Sequence, residues 1–299
     1  MFESVTTQAT KLAQATGDTR HSSGALARFW RMPAAIGGVI FILVEVLFVV
    51  FLPLVIPLDP YTSLPGYMSS GPIPGYPFGF DELGRDLFAR IIYGGQVSLL
   101  VAFCATALSL IIGVPLGLVA GYFGGIIETI VMRFSDAFMA FPAMILILIF
   151  VSVAGQSITT LTIIMGVLSW PSFARLLHGR ILSIREEEYI ESARAVGTSN
   201  FIIICKYILP NSIAPVLVQA TFAFSITMSI EAGLSFLGVG IKPPTASWGN
   251  ILYAAKSISV LAYQPWVWLP AGAFFLATVF AVNFIGDGLR RALDPKSGR

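Results

Sequence analysis

The chain has 299 residues, of which 56% are hydrophobic and 11% charged, and its mean hydropathy is +0.82. A soluble domain carries about twice that share of charge, so a soluble fold is excluded and a polytopic membrane protein is expected. The net charge of +2 gives no reason to expect a nucleic-acid partner. Cys104 and Cys205 lie far apart, and no CxxC or Cys/His spacing marks a disulfide framework or a zinc site. His21 and His178 cannot form a metal centre without other ligands, so no metal is expected.

Residues 1–33 read as a polar tail, with Lys11, Arg20, Arg28 and Arg31 against Glu3 and Asp18. The tail ends in a basic membrane-proximal patch at Arg28, Trp30 and Arg31. No apolar run begins early enough for a signal peptide. Residues 34–57 supply the roughly 20 apolar residues of a first span. Their one ionisable group, Glu45, either acts in transport or faces a neighbouring helix, protonated or hydrogen-bonded.

Residues 58–95 are polar and rich in Pro and Gly, which predicts an extracytoplasmic segment of turns followed by a helix capped by Asp81. Leu83, Leu87, Phe88, Ile91 and Ile92 fall on one side of that helix. Glu82, Arg85, Asp86 and Arg90 fall on the other, the pattern of an amphipathic helix at a membrane surface. Residues 96–121 form an uncharged second span in which Gly113, Gly117 and Gly121 recur every four residues, a spacing that permits close helix packing. A third span, 129–152, opens on Arg133 and Asp136, which can pair on one helical face. Pro142 can kink it. A fourth span covers 158–174.

A polar island, Ser183 to Pro210, follows. Charged residues such as Glu186, Glu187, Glu188, Glu191 and Arg194 cannot cross hydrocarbon cheaply. Ser183 and Glu186 have capping-box spacing, Gly197 can end the helix they start, and Thr198, Ser199 or Asn200 can cap a second. The island therefore predicts two short helices with a tight turn, displayed on one side of the membrane. The fifth span, 211–230 and beyond, is broken by Pro215 and reaches Glu231, which either lines the transport path or pins an inter-helix contact. An external loop, 241–257, carries PPTASWGN. The sixth span is 265–286, with Trp266 and Trp268 at its entrance as an interfacial belt. Asp287, Arg290 and Arg291 open a basic tail, 288–299.

Six spans put both termini on one side. Under that topology thirteen Lys and Arg fall with the tails and the island, and four (Arg85, Arg90, Lys242, Lys256) fall opposite. The positive-inside rule then makes the tails and the island cytoplasmic. No phosphate-binding loop, His-Glu-x-x-His or Gly-x-Ser-x-Gly motif is present, so no catalytic residues are expected. Glu186, Glu187 and Glu188 point in different directions on a helix and read as a solvated face.

Glu191-Ser192-Ala193, Gly197 and Ile208-Leu209-Pro210 resemble the EAA loop of ABC-importer permeases, with Ser192 in place of an alanine and Tyr207 in place of an isoleucine. FGFDELGRD (78–86), EAGLSFLG (231–238) and PPTASWGN (243–250) are similar to the dipeptide/oligopeptide/nickel branch of that family. The resemblance covers Phe29 to Arg291. It implies an all-α, six-span bundle of the type I importer fold, with the ABC type-1 domain at 94–287 and 34–57 as an added helix. It implies a multi-pass protein of the bacterial or archaeal cytoplasmic membrane that forms half of a pathway for di- and oligopeptides. The implied partners are a homologous second permease, two cytoplasmic ATP-binding subunits that carry the ATP and Mg, and an extracytoplasmic substrate-binding protein. Glu191, Ser192, Ala193, Gly197, Leu209 and Pro210 would couple to the ATPase. Within the family, a nickel or metal-chelate importer is the alternative. Outside it, the alternative is a proton-coupled carrier or membrane enzyme using Glu45, Asp136 and Glu231.

Overall fold

The computed structural model describes residues 27–293. The expectations placed on Glu3, Lys11, Asp18, Arg20 and His21, and on the last six residues of the basic tail, lie outside these residues. The helices are α1 (Pro33–Val55), α2 (Leu87–Phe123), α3 (Gly125–Met139), α4 (Ala143–Ala154), α5 (Ile158–Ile184), α6 (Glu188–Ala195), α7 (Asn200–Phe236), α8 (Trp248–Leu252), α9 (Ile258–Tyr263) and α10 (Pro265–Leu293). Helices α1, α2, α5, α7 and α10 are long and apolar enough to cross a membrane, and α3 with α4 forms a sixth candidate span bent by 84°. Among the described residues the only β pairing is isolated bridges. The expected all-α polytopic bundle is what the chain forms.

Several boundaries differ from expectation. The surface helix of 81–92 is not separate: its second half is the start of α2. Asp86, not Asp81, caps α2, accepting the Phe88 N–H at 2.9 Å. Burial pushes the Asp86 carboxyl above its usual range, partly offset by the N–H groups of Phe88 and Ala89. Asp81 is turned inward, where it accepts the N–H groups of Leu83 and Arg85 and pairs with Arg85 at 2.7 Å and Arg90 at 3.4 Å. Arg90 is buried rather than on a wet face, because residues 58–86 fold over this end. Its guanidinium donates to the carbonyls of Pro60 and Pro244.

The third span is broken rather than kinked, since Pro142 lacks an N–H and stands as the N-cap of α4. Asp136 does not pair with Arg133. Its partner is Arg175 of α5, at 2.6 Å on an exposed surface. Helix α5 continues ten residues beyond the predicted end of the fourth span, carrying Arg175 and Arg180. Ser183 therefore sits inside α5 and forms no capping box with Glu186, and Glu187 precedes α6 without a side-chain cap.

The second short helix of the island is not separate either. It is the first part of α7, which runs through Pro210 by way of a π-helical turn at Ile203–Ile208. The wider turn accommodates the missing proline N–H, and Asn211 and Ser212 donate to the carbonyls of Tyr207 and Ile208, each at 2.8 Å. Asp287, Arg290 and Arg291 lie on α10 rather than in a tail, with the arginines in the last turn, where the helix dipole favours cations.

The α2–α5 seam holds the bundle together. A Cβ on Gly113 would fall 2.6 Å from the Trp170 carbonyl oxygen. One on Gly117 would fall 2.6 Å from that of Ala174, and one on Gly121 would fall 2.8 Å from Ile181 Cβ. Gly166 lets α5 approach α2 in return. Because backbone meets backbone, Gly117→Leu cannot be absorbed by a rotamer change. We expect it to cost about 1–3 kcal/mol or more by overpacking, read as lower thermal stability of the detergent-purified protein. Gly179 has open space around it, so Gly179→Ala should leave that stability unchanged.

Trp266 and Trp268 are half-buried rather than an open belt. Gly71 of the 58–86 segment covers Trp266, and both rings pack into the cluster around Trp248.

Candidate functional site

Helix α6 stands at the end of the bundle where α2 and α5 finish. One side is anchored: Ile190 is fully buried among Leu118, Tyr122, Ile181, Ile184, Ile203 and Ile208, with Ala193 and Leu209 half-buried against the same cluster. Ala193 therefore faces the bundle rather than the solvent. Glu191, Ser192, Ala195 and Val196 are exposed, Val196 to 86%. Gly197, at φ +82°, ends the helix with open space around it. Its N–H reaches the Arg194 carbonyl at 2.9 Å, and the Thr198 N–H reaches that of Ala193 at 3.1 Å, closing the turn through the left-handed glycine. Pro210 is exposed one helical stretch further on.

Tyr122, at the tip of α2, ties this segment down. Its hydroxyl donates to Asn200 Oδ1 at 2.7 Å, and its ring lies 5.1 Å under the Arg194 guanidinium. Close by, His178 of α5 meets Glu128 of α3 at 2.8 Å, and Arg185 donates to the Gly121 carbonyl. An exposed helix is thus mounted rigidly on the α2–α5 seam.

At the opposite end, Glu231 of α7 is completely buried. It accepts the hydroxyls of Ser235 at 2.8 Å and Ser98 at 3.1 Å. Ser98 in turn accepts the Trp248 N–H at 3.2 Å, and the buried Trp248 indole donates to the Ile91 carbonyl at 2.9 Å. The PPTASWGN loop is therefore wedged between α2 and α7. Gly94, Gly95 and Gly249 leave room for it, and Ser247 with Asn250 makes a true capping box for α8.

Residues 113–299 match the family of binding-protein-dependent transport system inner membrane components. The chain belongs to this family. It is a permease subunit of the ABC-importer type and of the dipeptide/oligopeptide branch. Among its relatives is the dipeptide transport system permease protein DppC of Alkalihalophilus pseudofirmus, 40% identical over 88% of this chain and 86% of that protein. DppC of Haemophilus influenzae is 36% identical over 91% of this chain and 95% of that protein. The glutathione transport system permease protein GsiD of Pectobacterium atrosepticum is 36% identical over 90% and 89%. In fold, the permease is similar to the MetNI methionine ABC transporter in an inward-facing crystal form. The TM-score is 0.58 at 22% identity, over 70% of this chain and 98% of that one.

The three carboxylates singled out in the permease's spans do not converge. Glu45 is buried and accepts from Thr278 of α10 at 2.7 Å. Asp136 pairs with Arg175 on the surface, and Glu231 is enclosed by serines. Sequence reasoning misses their partners because Ser98, Thr278 and Arg175 lie far away along the chain. Ser98 sits just past the signature stretch, and Tyr122 stands in the last turn of α2 among glycines. A polar or aromatic side chain at the end of an apolar run is the signal that marks both.

Proposed function

We propose that the permease moves di- and oligopeptides inward through a pathway whose other half is a homologous second permease, driven by ATPase subunits that grip α6. The arrangement of α6 carries this reading. A helix laid in a partner's groove needs one face fixed to its own protein and the other free, and α6 has its Ile190 side buried while Glu191, Ser192 and Ala195, with Val196 just after it, are exposed. ATP and Mg would be bound by two cytoplasmic subunits. An extracytoplasmic binding protein would meet residues 58–86 and 238–264. The thirteen-to-four distribution of Lys and Arg supports a cytoplasmic α6 and cytoplasmic termini. Peptide cargo is supported by the relatives named for dipeptides and for glutathione, itself a tripeptide. Closure of the ATPases would pull α6, and Tyr122 with the α2–α5 seam would pass the displacement to the spans as alternating access.

A proton-coupled carrier is disfavoured because Glu45, Asp136 and Glu231 are each engaged by a different neighbour and form no relay. Nickel or metal-chelate transport is the rival cargo within the family. The test places a cysteine at Val196 in a Cys104→Ser, Cys205→Ser background, co-expressed with the ATPases and the second permease. We expect a disulfide crosslink from residue 196 to a cysteine-bearing ATPase, together with ATP-dependent uptake of tri-alanine. Uptake that follows a proton gradient without ATP, or a residue 196 that never crosslinks in an active complex, would remove the proposal.

A further inference from the structure

The start of α1 and the end of α10 meet at one corner of the bundle, apart from the α6 segment and from the Glu231 network. A Cβ on Gly288 would fall 2.5 Å from Ala35 Cβ and 3.0 Å from the Phe29 ring. Phe29, Ala35 and Ala292 are buried together, with Met32, Ile285 and Leu289 packed against them. This small core brings together four cations from opposite ends of the sequence. Arg28 and Arg31 stand beside Phe29 and Met32, and Arg290 and Arg291 stand between Leu289 and Ala292. Arg31, Arg290 and Arg291 are exposed and Arg28 is half-buried. Among the described residues, Arg31 and Arg290 have no side-chain partner, and Asp287 is the one acid at this corner. The excess continues along the chain, since Asp287 to Arg299 carries four Lys and Arg against two Asp.

Helix α1 sets the level of the corner. Its 23 residues rise about 34 Å at ~1.5 Å each, close to the ~30 Å thickness of bilayer hydrocarbon. Each end of α1 therefore falls near a headgroup layer, and Arg28, Trp30 and Arg31 stand just before its first residue. Trp30 is exposed and meets Phe29 edge-on at 5.9 Å, as an aromatic at the membrane interface does. Because Gly288 and Ala292 pack beside Ala35 and Phe29, the arginines of α10 end at the same level. Just beyond the corner, Ile40, Leu43 and Val44 of α1 form an exposed apolar surface.

We propose that this corner binds a phospholipid with a net-negative headgroup, its phosphate on Arg31 and Arg291 and its acyl chains along the exposed face of α1. Charge and position both select that occupant. A guanidinium presents its N–H groups as a planar fork that fits two phosphate oxygens, and basic clusters next to a span draw anionic headgroups. A zwitterionic headgroup brings its own cation, which the four arginines repel. The bound lipid would bridge α1 and α10 at an end where only three buried side chains join them. It would thus fasten the added first helix to the rest of the permease. The inference is independent of the cargo and of the side of the membrane on which α6 lies.

The test reconstitutes the full-length permease, with Cys104→Ser and Cys205→Ser as background, into vesicles of equal parts phosphatidylglycerol and phosphatidylcholine. A fluorophore is attached at Ala34→Cys, beside the corner, or at Leu54→Cys, at the far end of α1; both positions are exposed. Quenching is compared when one lipid and then the other carries the same nitroxide-labelled chain. We expect phosphatidylglycerol to be preferred about fivefold or more at residue 34, the equivalent of at least one arginine at a headgroup, and no preference at residue 54. Arg31→Gln with Arg291→Gln should remove the preference. Arg31→Lys with Arg291→Lys keeps the charge and should retain most of it, which separates lost binding from misfolding. Arg180→Gln, exposed on α5, should change nothing. Equal quenching by the two lipids at residue 34, a preference that survives the Gln pair, or one that Arg180→Gln removes as fully would overturn the proposal. Displacement of the lipid by millimolar inorganic phosphate would make the corner a site for the free anion and overturn it as well.

Discussion

Gly197→Val is expected to abolish transport-coupled ATP hydrolysis while the permease still inserts and accumulates normally. The residue has φ +82°, and apart from its adjoining backbone no atom lies within 4 Å of the point where a Cβ would stand, so the substitution meets no packed neighbour. Its cost is conformational: a side chain in the left-handed region loses about 1–2 kcal/mol, and a β-branched one is the least tolerant. That is too little to unfold a bundle sealed along the α2–α5 seam. It is enough to unmake the two bonds, to Arg194 and Ala193, that set the angle between α6 and α7. Activity should fall in the order Gly, Asn, Ala, Val, because Asn enters the left-handed region most readily of the three replacements. Binding-protein-stimulated ATPase in proteoliposomes, normalised to permease in the membrane fraction, gives the comparison. A Val variant hydrolysing ATP at the parental rate would mean that the turn transmits nothing.

Gly197 is legible from sequence because its role is local: a glycine ending a short helix needs only its neighbours. The spans are legible for the same reason, since about 20 apolar residues in a row imply a crossing whatever surrounds them. Expectation and structure part where a helix passes from apolar to polar sequence without stopping. Local spacing makes Ser183 a start and Pro210 a boundary, yet α5 and α7 run through them because Ile184, Ile190, Ile203 and Ile208 form one buried cluster that continues the core past the apolar runs. Local spacing likewise makes Asp81 a cap, but two arginines draw it inward. In the α6 segment, residue positions are readable and their facing is not: Ala193 turns toward the bundle against a cluster that holds Leu118, Tyr122 and Ile208, most of it distant along the chain.

Glu231→Ala should be the most destabilising single change at the end of the bundle opposite α6, costing about 3–5 kcal/mol from unpaired buried hydroxyls and the cavity left behind. The carboxylate is fully enclosed, and Ser98 and Ser235 both donate to it. Ser98 simultaneously receives the Trp248 N–H, so removing the acceptor frees that hydroxyl to reorient and loosens the wedge. Trp248, stacked on Phe274 and bonded to Ile91, would then lose one of its two polar attachments. Glu231→Gln keeps the volume and one acceptor, and its NH₂ can donate to a serine oxygen, so about 1 kcal/mol is expected. The contrast separates a structural carboxylate from one that carries protons: a proton carrier is disabled by Gln as fully as by Ala, whereas a pin tolerates Gln. Thermal inactivation of the purified complex gives the stability order, and protease cleavage within 243–250 reports release of the loop. A Ser98→Ala, Glu231→Ala double variant should be no worse than Glu231→Ala alone, because the two groups share one bond. Additive losses would place the function of Glu231 elsewhere than in holding the loop to the bundle.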